Sequence, residues 1–281
     1  MWKQNRIYIH YPWDKSRNWR KDSRSKKPDD YTGSAKKALS KLKQLASEGG
    51  YVCAHFTEQK QWLVGIVPPK SQIQLCRGKW KPEEFKRHRL KGHDGIVILK
   101  TLLLHKPRRI LPDDCVVLQP AQPRQGTITR WPSIGNAVSA IVKNQKLSAS
   151  LDTLSPNHQE IMCAEFLRLN ESVKIGLPRL ICTLRDVGRT MKDLDIVGVA
   201  QDGKQIFAQV TYSSFGSNNV QEKHKLLQKF AEHRAYLILF CKCQKIIFEK
   251  NIIIFPIEEV YARFRKTKVG KNWFKHIFRK I

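Results

Sequence analysis

Long apolar runs are missing from this chain. No window approaches the roughly 20 apolar residues that a membrane span needs, and Met1-Trp2-Lys3-Gln4-Asn5-Arg6 holds no apolar signal core. A spanning or secreted protein is therefore set aside, and a soluble, cytoplasmic chain with no membrane partner is expected. Paired metal-binding cysteines are missing too. The seven cysteines, Cys53, Cys76, Cys115, Cys163, Cys182, Cys241 and Cys243, are odd in number and mostly embedded in apolar runs, the pattern of reduced, buried thiols. Cys241-x-Cys243 is the nearest approach to a zinc motif, and no Cys-x-x-Cys or His pair completes a tetrahedral set. There is no internal repeat.

Acidic charge is scarce, with 24 Asp and Glu against 52 Lys and Arg and a net charge of +28. The excess is unevenly spread. Residues 1–150 hold 30 basic and 11 acidic side chains, residues 151–261 hold 14 and 13, and residues 262–281 hold 8 and none. A nearly neutral block between two basic flanks fits a protein whose flanks hold a polyanion while the middle acts on it, so nucleic acid is the expected partner. With 281 residues, 41% of them hydrophobic and 9% aromatic, the chain is not disordered and is long enough for two cores.

In the first half, residues 6–11 alternate as a strand and residues 12–33 read as a charged, exposed arm or loop. Ala35, Ala38, Leu39, Leu42 and Leu45 then fall at helical spacing, and Gly49-Gly50 stops the helix. Residues 51–56 and 62–67 form a hairpin pattern broken by Pro68-Pro69. Further strand-like runs lie at 95–104, 115–118 and 125–131, and a short helix at 134–142. Short strands with Gly and Pro punctuation predict a small, partly open β-barrel. A basic patch of Arg77, Lys79, Lys81, Lys86, Arg87, Arg89 and Lys91 accompanies it.

The second half reads as helix, three strands, helix, strands, which is an α/β order. Ser155-Pro156 opens a helix in which Asn157-x-x-Glu160 reads as a capping box. Strands follow at 179–184, 194–200 and 205–211, the last two joined by Gln201-Asp202-Gly203-Lys204 with its Asp-Gly hairpin signal. An amphipathic helix at 219–233, strands at 236–241 and 246–255 and a helix at 257–264 complete it. The expected division is a nucleic-acid-reading domain at 1–148, a catalytic α/β domain at 149–261 and a basic tail at 262–281.

The chemistry centres on Lys192-Asp193-Leu194-Asp195-Ile196-Val197-Gly198 and Phe207-Ala208-Gln209-Val210-Thr211. Adjacent strands that bring Asp195 and Gln209 to one mouth can hold a divalent cation beside a phosphodiester. Mg²⁺, or Mn²⁺ in its place, suits one or two carboxylates plus waters and phosphate oxygens. A charge-neutralising lysine belongs two residues beyond Gln209, where this chain has Thr211.

This order of elements and polar residues resembles the core of the restriction-endonuclease-like superfamily, PD-(D/E)XK, and its Mrr-like branch in particular, over roughly residues 151–256. That branch often has Gln where others have an acid in the third strand. The resemblance implies a mixed sheet flanked by helices, with Glu160 as the first-helix acid and Glu165 as its substitute. Asp195 becomes the central metal ligand, Gln209 the third-strand residue, and Thr211 occupies the lysine position. Lys223 and Lys225, on the helix after the third strand, become the candidates to supply the missing cation. As metal ligands the set is Asp195, Gln209 and Glu160.

The expected activity is metal-dependent DNA endonuclease action of restriction or phage-defence type. A nuclease-like fold that has lost cleavage and grips nucleic acid as one subunit of a larger assembly is the competing reading, favoured by Thr211, and an RNA-processing factor is a third. Double-stranded DNA is the expected substrate, with a homodimer or partner defence subunits, since cutting both strands requires two sites or two events. Contacts to it are expected from the basic patch, Arg130, Arg263, Arg265 and Lys266, with Trp62, Trp80 and Trp131 available to stack on bases, although the apolar neighbours of Trp62 suit core packing at least as well.

Overall fold

The computed structural model of the chain describes residues 1–16, 22–56, 58–79, 95–111, 116, 118, 128–130, 134–145, 147–187, 194–231 and 233–278. The chain divides into two compact units, one formed chiefly by Met1–Asp114 and Gln122–Lys146, the other by Cys115–Ala121 and Leu147–Lys280.

In the first unit, the predicted helix is α1, Gly33–Glu48, which buries Ala38, Leu39, Leu42 and Ala46 and ends where the Gly49 N–H bonds the Leu45 carbonyl at 2.9 Å. The predicted hairpin pairs β2, Gly50–Phe56, with β3, Gln61–Val67, Cys53 opposite Val64. The strands β1, Arg6–Ile9, β4, Gln74–Lys79, β5, Ile96–Leu103, and β6, His105–Ile110, complete two separate antiparallel sheets, ordered β1-β5-β4 and β2-β3-β6.

No barrel closes among the described residues, which corrects the barrel expectation. Ile7, Ile9 and Leu102 from one sheet meet Leu63 and Val67 from the other around Leu39 and Leu42 of α1. Helical side chains thus fill the space that closure would need. Strands β4 and β6 escaped the sequence reading because both lie at sheet edges, where Arg77, Lys79, Lys106, Pro107, Arg108 and Arg109 are tolerated and no apolar alternation is required. Helix α2, Gly135–Val142, lies where a helix was expected. Residues 128–130 are irregular, and residues 116 and 118 are not in strands; the rest of the strand candidates at 115–118 and 125–131 lies outside the described residues.

The segment expected as an exposed arm is anchored over its second part. Asp22, Ser23 and Tyr31 are buried. Asp22 Oδ2 accepts the Ile98 N–H at 2.9 Å and lies 2.6 Å from His10 Nε2. The fully buried Lys100 donates to the Ser23 carbonyl at 3.0 Å, with its ammonium 5.2 Å from the Tyr31 ring centroid.

The second unit is a six-stranded mixed sheet with helices, in the element order that the sequence predicts. Helix α3, Pro156–Leu167, is capped by Ser155, whose Oγ accepts the His158 N–H at 3.3 Å. The capping box expected at Asn157 and Glu160 is thereby corrected: Pro156, with its φ preset and no N–H to lose, takes the first helical position and leaves the cap to Ser155. A short helix α4, Asn170–Val173, precedes β7, Leu180–Thr183, β8, Ile196–Ala200, and β9, Gln205–Ser214. Helix α5, Asn218–Gln228, leads to β10, Ala235–Lys242. The single strand expected at 246–255 is a hairpin of β11, Ile247–Glu249, and β12, Ile252–Pro256, turned by Lys250 and Asn251 at φ +48° and +65°. Helices α6, Ile257–Lys266, and α7, Lys268–Ile277, follow, so the segment singled out by charge is helical.

The sheet order is β11-β12-β10-β9-β8-β7. Strands β7, β8 and β9 are antiparallel, with Gly203 at φ +81° in the Asp-Gly turn that sets Ile196 opposite Ala208. Strand β10 runs parallel to β9, a pairing that demands a crossover, and α5 provides it by packing on both. Among the described residues no helix is long and apolar enough to cross a membrane.

Candidate functional site

The β8–β9 register brings Asp195 and Gln209 together. Asp195 stands one residue before β8, and its N–H bonds the Ala208 carbonyl at 3.1 Å. Its Oδ2 accepts the Val210 N–H at 2.7 Å, so the carboxylate takes over the ladder where β8 begins. Gln209 lies in the middle of β9, opposite Leu239 of β10, and is 2% exposed.

Helix α5 closes the site. Lys223 Nζ donates to Asp195 Oδ2 and to Gln209 Oε1, each at 2.6 Å. The Asp195 side chain is 7% exposed and that of Lys223 is 23% exposed, so an ammonium sits between two oxygen donors with a limited opening to solvent. Charge-assisted bonds of this length in a poorly hydrated pocket are among the stronger polar contacts a protein makes. Lys225 is exposed and takes no such place.

Thr211 lies two residues along β9 from Gln209, and its Oγ1 accepts from Asn219 Nδ2 at 3.2 Å and donates to Ser213 Oγ at 3.0 Å. Asn219 precedes Lys223 by one helical turn, so α5 presents both side chains from one face. Asn219 and Ser213 were not singled out from the sequence, although both spacings, four on a helix and two on a strand, were available to find them.

Glu160 is buried on α3, which packs on β9. Burial pushes the Cys163 thiol, one turn along α3, well above its ordinary value, and the carboxylates of Glu160 and Asp195 push it further. Glu165 faces elsewhere. It pairs with Arg168 at 3.2 Å and lines a cleft of about 350 Å³ with Thr183, Arg185 and Asp186.

The donor set is of the kind a hard cation takes: a carboxylate and an amide oxygen joined by Lys223. Mg²⁺ is bound through one or two protein oxygens and keeps several waters, so two donors suffice in kind. Among the described residues no group of three or more His, Cys, Asp or Glu side chains is arranged to hold a metal ion. A cation between Asp195 and Gln209 and the ammonium of Lys223 compete for the same oxygens.

Of the expected nucleic-acid contacts, Arg77 and Lys79 are exposed on the edge strand β4, and Arg130 is exposed in an irregular stretch. Lys81, Lys86, Arg87, Arg89 and Lys91, with Trp80, Trp131 and Asp193, lie outside the described residues. Trp62 is 2% exposed and belongs to the core of its sheet, so it is not a stacking platform. Arg263 is exposed but held by Glu259 at 2.8 Å, while Arg265 and Lys266 are exposed at the end of α6. No known protein family, curated protein or solved structure matches this chain.

Proposed function

We propose that the second unit is a divalent-metal-dependent DNA endonuclease of restriction or phage-defence type, in the manner of the restriction-endonuclease-like superfamily and its Mrr-like branch. The observation that carries the reading is Lys223, within 2.6 Å of both Asp195 and Gln209. It supplies from α5 the positive charge that Thr211 cannot supply from β9. Asp195 and Gln209 offer the two oxygens that would hold Mg²⁺ or Mn²⁺, and Glu160 the carboxylate that would orient a water beside them. The metal, when bound, lowers the pKa of a water and polarises a phosphoryl oxygen. Lys223, beside both oxygens, would be placed to stabilise charge developing on the phosphodiester. The Thr211 hydroxyl is itself engaged by Asn219 and Ser213.

The closeness of the same ammonium supports a second reading, in which Asp195 is neutralised permanently and the fold binds nucleic acid without cutting it. One experiment separates the two. The full chain is incubated with supercoiled plasmid, single-stranded DNA and RNA, in Mg²⁺, in Mn²⁺ and in chelator, beside Asp195→Ala. The nuclease reading expects metal-dependent nicking or linearisation of plasmid that Asp195→Ala abolishes while DNA affinity stays within about twofold. Folded protein that binds DNA and cuts none of the three substrates in either metal leaves the binding reading in its place. Preferential cutting of RNA would move the substrate class and keep the chemistry.

A further inference from the structure

Helix α7 is held to its neighbour by one face and offers the other to solvent. Thr267 is the only residue between α6 and α7; its Oγ accepts the Gly270 N–H at 2.9 Å and donates to the Phe264 carbonyl at 2.8 Å. A Cβ at Gly270 would stand 1.8 Å from the Phe264 carbonyl oxygen, an impossible distance, so the first turn of α7 rests directly on the backbone of α6. Phe274 and Ile277 are buried, and Phe274 meets the rings of Tyr261 and Phe264 with centroids 5.3 Å and 6.0 Å away. Trp273 packs on Phe264 and on His158 of α3. The apolar face of α7 is thus consumed within its own unit, leaving Val269 as an isolated exposed apolar side chain.

The opposite face carries Lys268, Lys271 and Lys275, all exposed. Their spacing of three and four residues puts them in one stripe along the helix. None of the three has an ion-pair partner among the described residues, in contrast to Arg263 on α6, which Glu259 answers. No acid lies anywhere in residues 262–281. From Lys268 to Lys275 the stripe rises over seven residue steps, about 10 Å at roughly 1.5 Å per step. One DNA strand presents a phosphate about every 3.4 Å of helix axis, so three ammonium groups over that length meet about three phosphates.

We propose that α7 is a duplex-DNA backbone contact, with Lys268, Lys271 and Lys275 each facing one phosphate and Arg265 and Lys266 continuing the surface. The inference rests on the nucleic-acid partner of the proposed function and is independent of cleavage. An anionic membrane is the poorer fit, because a surface-seeking helix needs a free apolar face and this one has spent its own.

The test compares the full chain with the triple variant Lys268→Gln, Lys271→Gln, Lys275→Gln by fluorescence anisotropy on a labelled duplex, in chelator, across a salt series. A control replaces three exposed lysines elsewhere in the unit, Lys174, Lys204 and Lys250, by Gln. At about −0.9 per phosphate contact, the slope of log affinity against log salt should flatten by about 2.7 in the triple variant and by less than about 1 in the control. The loss should be the same for duplexes of unrelated sequence, and the circular dichroism melt should be unchanged. Equal flattening in both sets of variants, or no flattening in the α7 variant, overturns the assignment. Sedimentation with phosphatidylserine vesicles that depends on these three lysines, together with an unchanged DNA slope, overturns it in favour of a lipid partner. Because every arm is read in chelator, the outcome does not depend on whether the site near Asp195 cuts.

Discussion

Replacing Lys223 by Met keeps the length of the side chain and removes its charge, and three readouts then separate a catalytic lysine from a structural one. The first is local stability. Removing one partner of a fully buried ion pair costs about 3–5 kcal/mol. Lys223 retains 23% exposure and Asp195 keeps the Val210 N–H at 2.7 Å, so the expected loss is smaller, about 2 kcal/mol. It is best read from hydrogen exchange at the Val210 amide, which reports on β9 alone in a chain of two units. In an Asp195→Asn background the same substitution should cost less than about 1 kcal/mol, since no buried carboxylate is left without its counter-ion. The second readout is metal affinity. A cation held by Asp195 and Gln209 would compete with the Lys223 ammonium, which stands 2.6 Å from an oxygen of each. Removing the ammonium should tighten Mg²⁺ binding, measured by calorimetry, by about tenfold, equivalent to about 1.4 kcal/mol. The third is turnover, which should fall by about a hundredfold or more. Tighter metal with lower turnover is a combination that a purely structural lysine does not produce. Mg²⁺ binding that weakens in Lys223→Met, or cleavage that survives it, would refute the role.

Three further outcomes are expected. Thr211→Lys alone should not raise cleavage, because Lys223 already occupies the oxygens it would seek, whereas Thr211→Lys in the Lys223→Met background should restore part of the lost plasmid nicking; no restoration would mean that position 211 does not open onto the site. His158, buried under Ser155 and Trp273, has its pKa pushed down by burial to about 4. Since the unfolded chain protonates near 6.5, the unfolded state holds more protons between these values, so stability is present above about 6.5 and falls by up to about 3 kcal/mol as pH drops towards 4; melts from pH 7 to 4 should show this slope in the native chain and a flatter one in His158→Gln. Burial likewise pushes Lys100 down to about 8 against an ordinary 10.5, with Asp22 and Asp14 opposing the shift. The sign is the same, so the first unit should gain stability as pH rises from 8 to 10.5, and Lys100→Met should lose that gain in chemical unfolding followed across the same window.

The β8–β9 hairpin was legible because its turn chemistry and its two apolar runs agree, and fixing that register suffices to bring Asp195 beside Gln209. In the first unit β1, the β2–β3 hairpin and β5 were legible too, but the edge strands β4 and β6 were not, since they are built from arginine, lysine and proline and carry no alternation to read. Nor could periodicity divide residues 246–255, where the turn is made by Lys250 and Asn251 in left-handed conformations that such residues adopt only in context. The buried layer at Asp22, Ser23 and Lys100 was hidden for a related reason: polar residues written along the chain look solvated until a second segment supplies their partners.

The site itself shows where sequence stops. That α5 would carry a lysine near the third strand was readable, but Lys223 and Lys225 differ only in the side of the helix they occupy. Two residues on a helix are separated by about 200°, so only one of them can face β9. The turn that places Lys223 also places Asn219, which engages Thr211. Thr211 and Lys223 are therefore linked through α5, which engages Thr211 by Asn219 and Gln209 by Lys223. A lysine at both positions would set two ammonium groups against one buried carboxylate. Positive charge reaches Asp195 and Gln209 from α5, while Thr211 on β9 is engaged by Asn219 and Ser213.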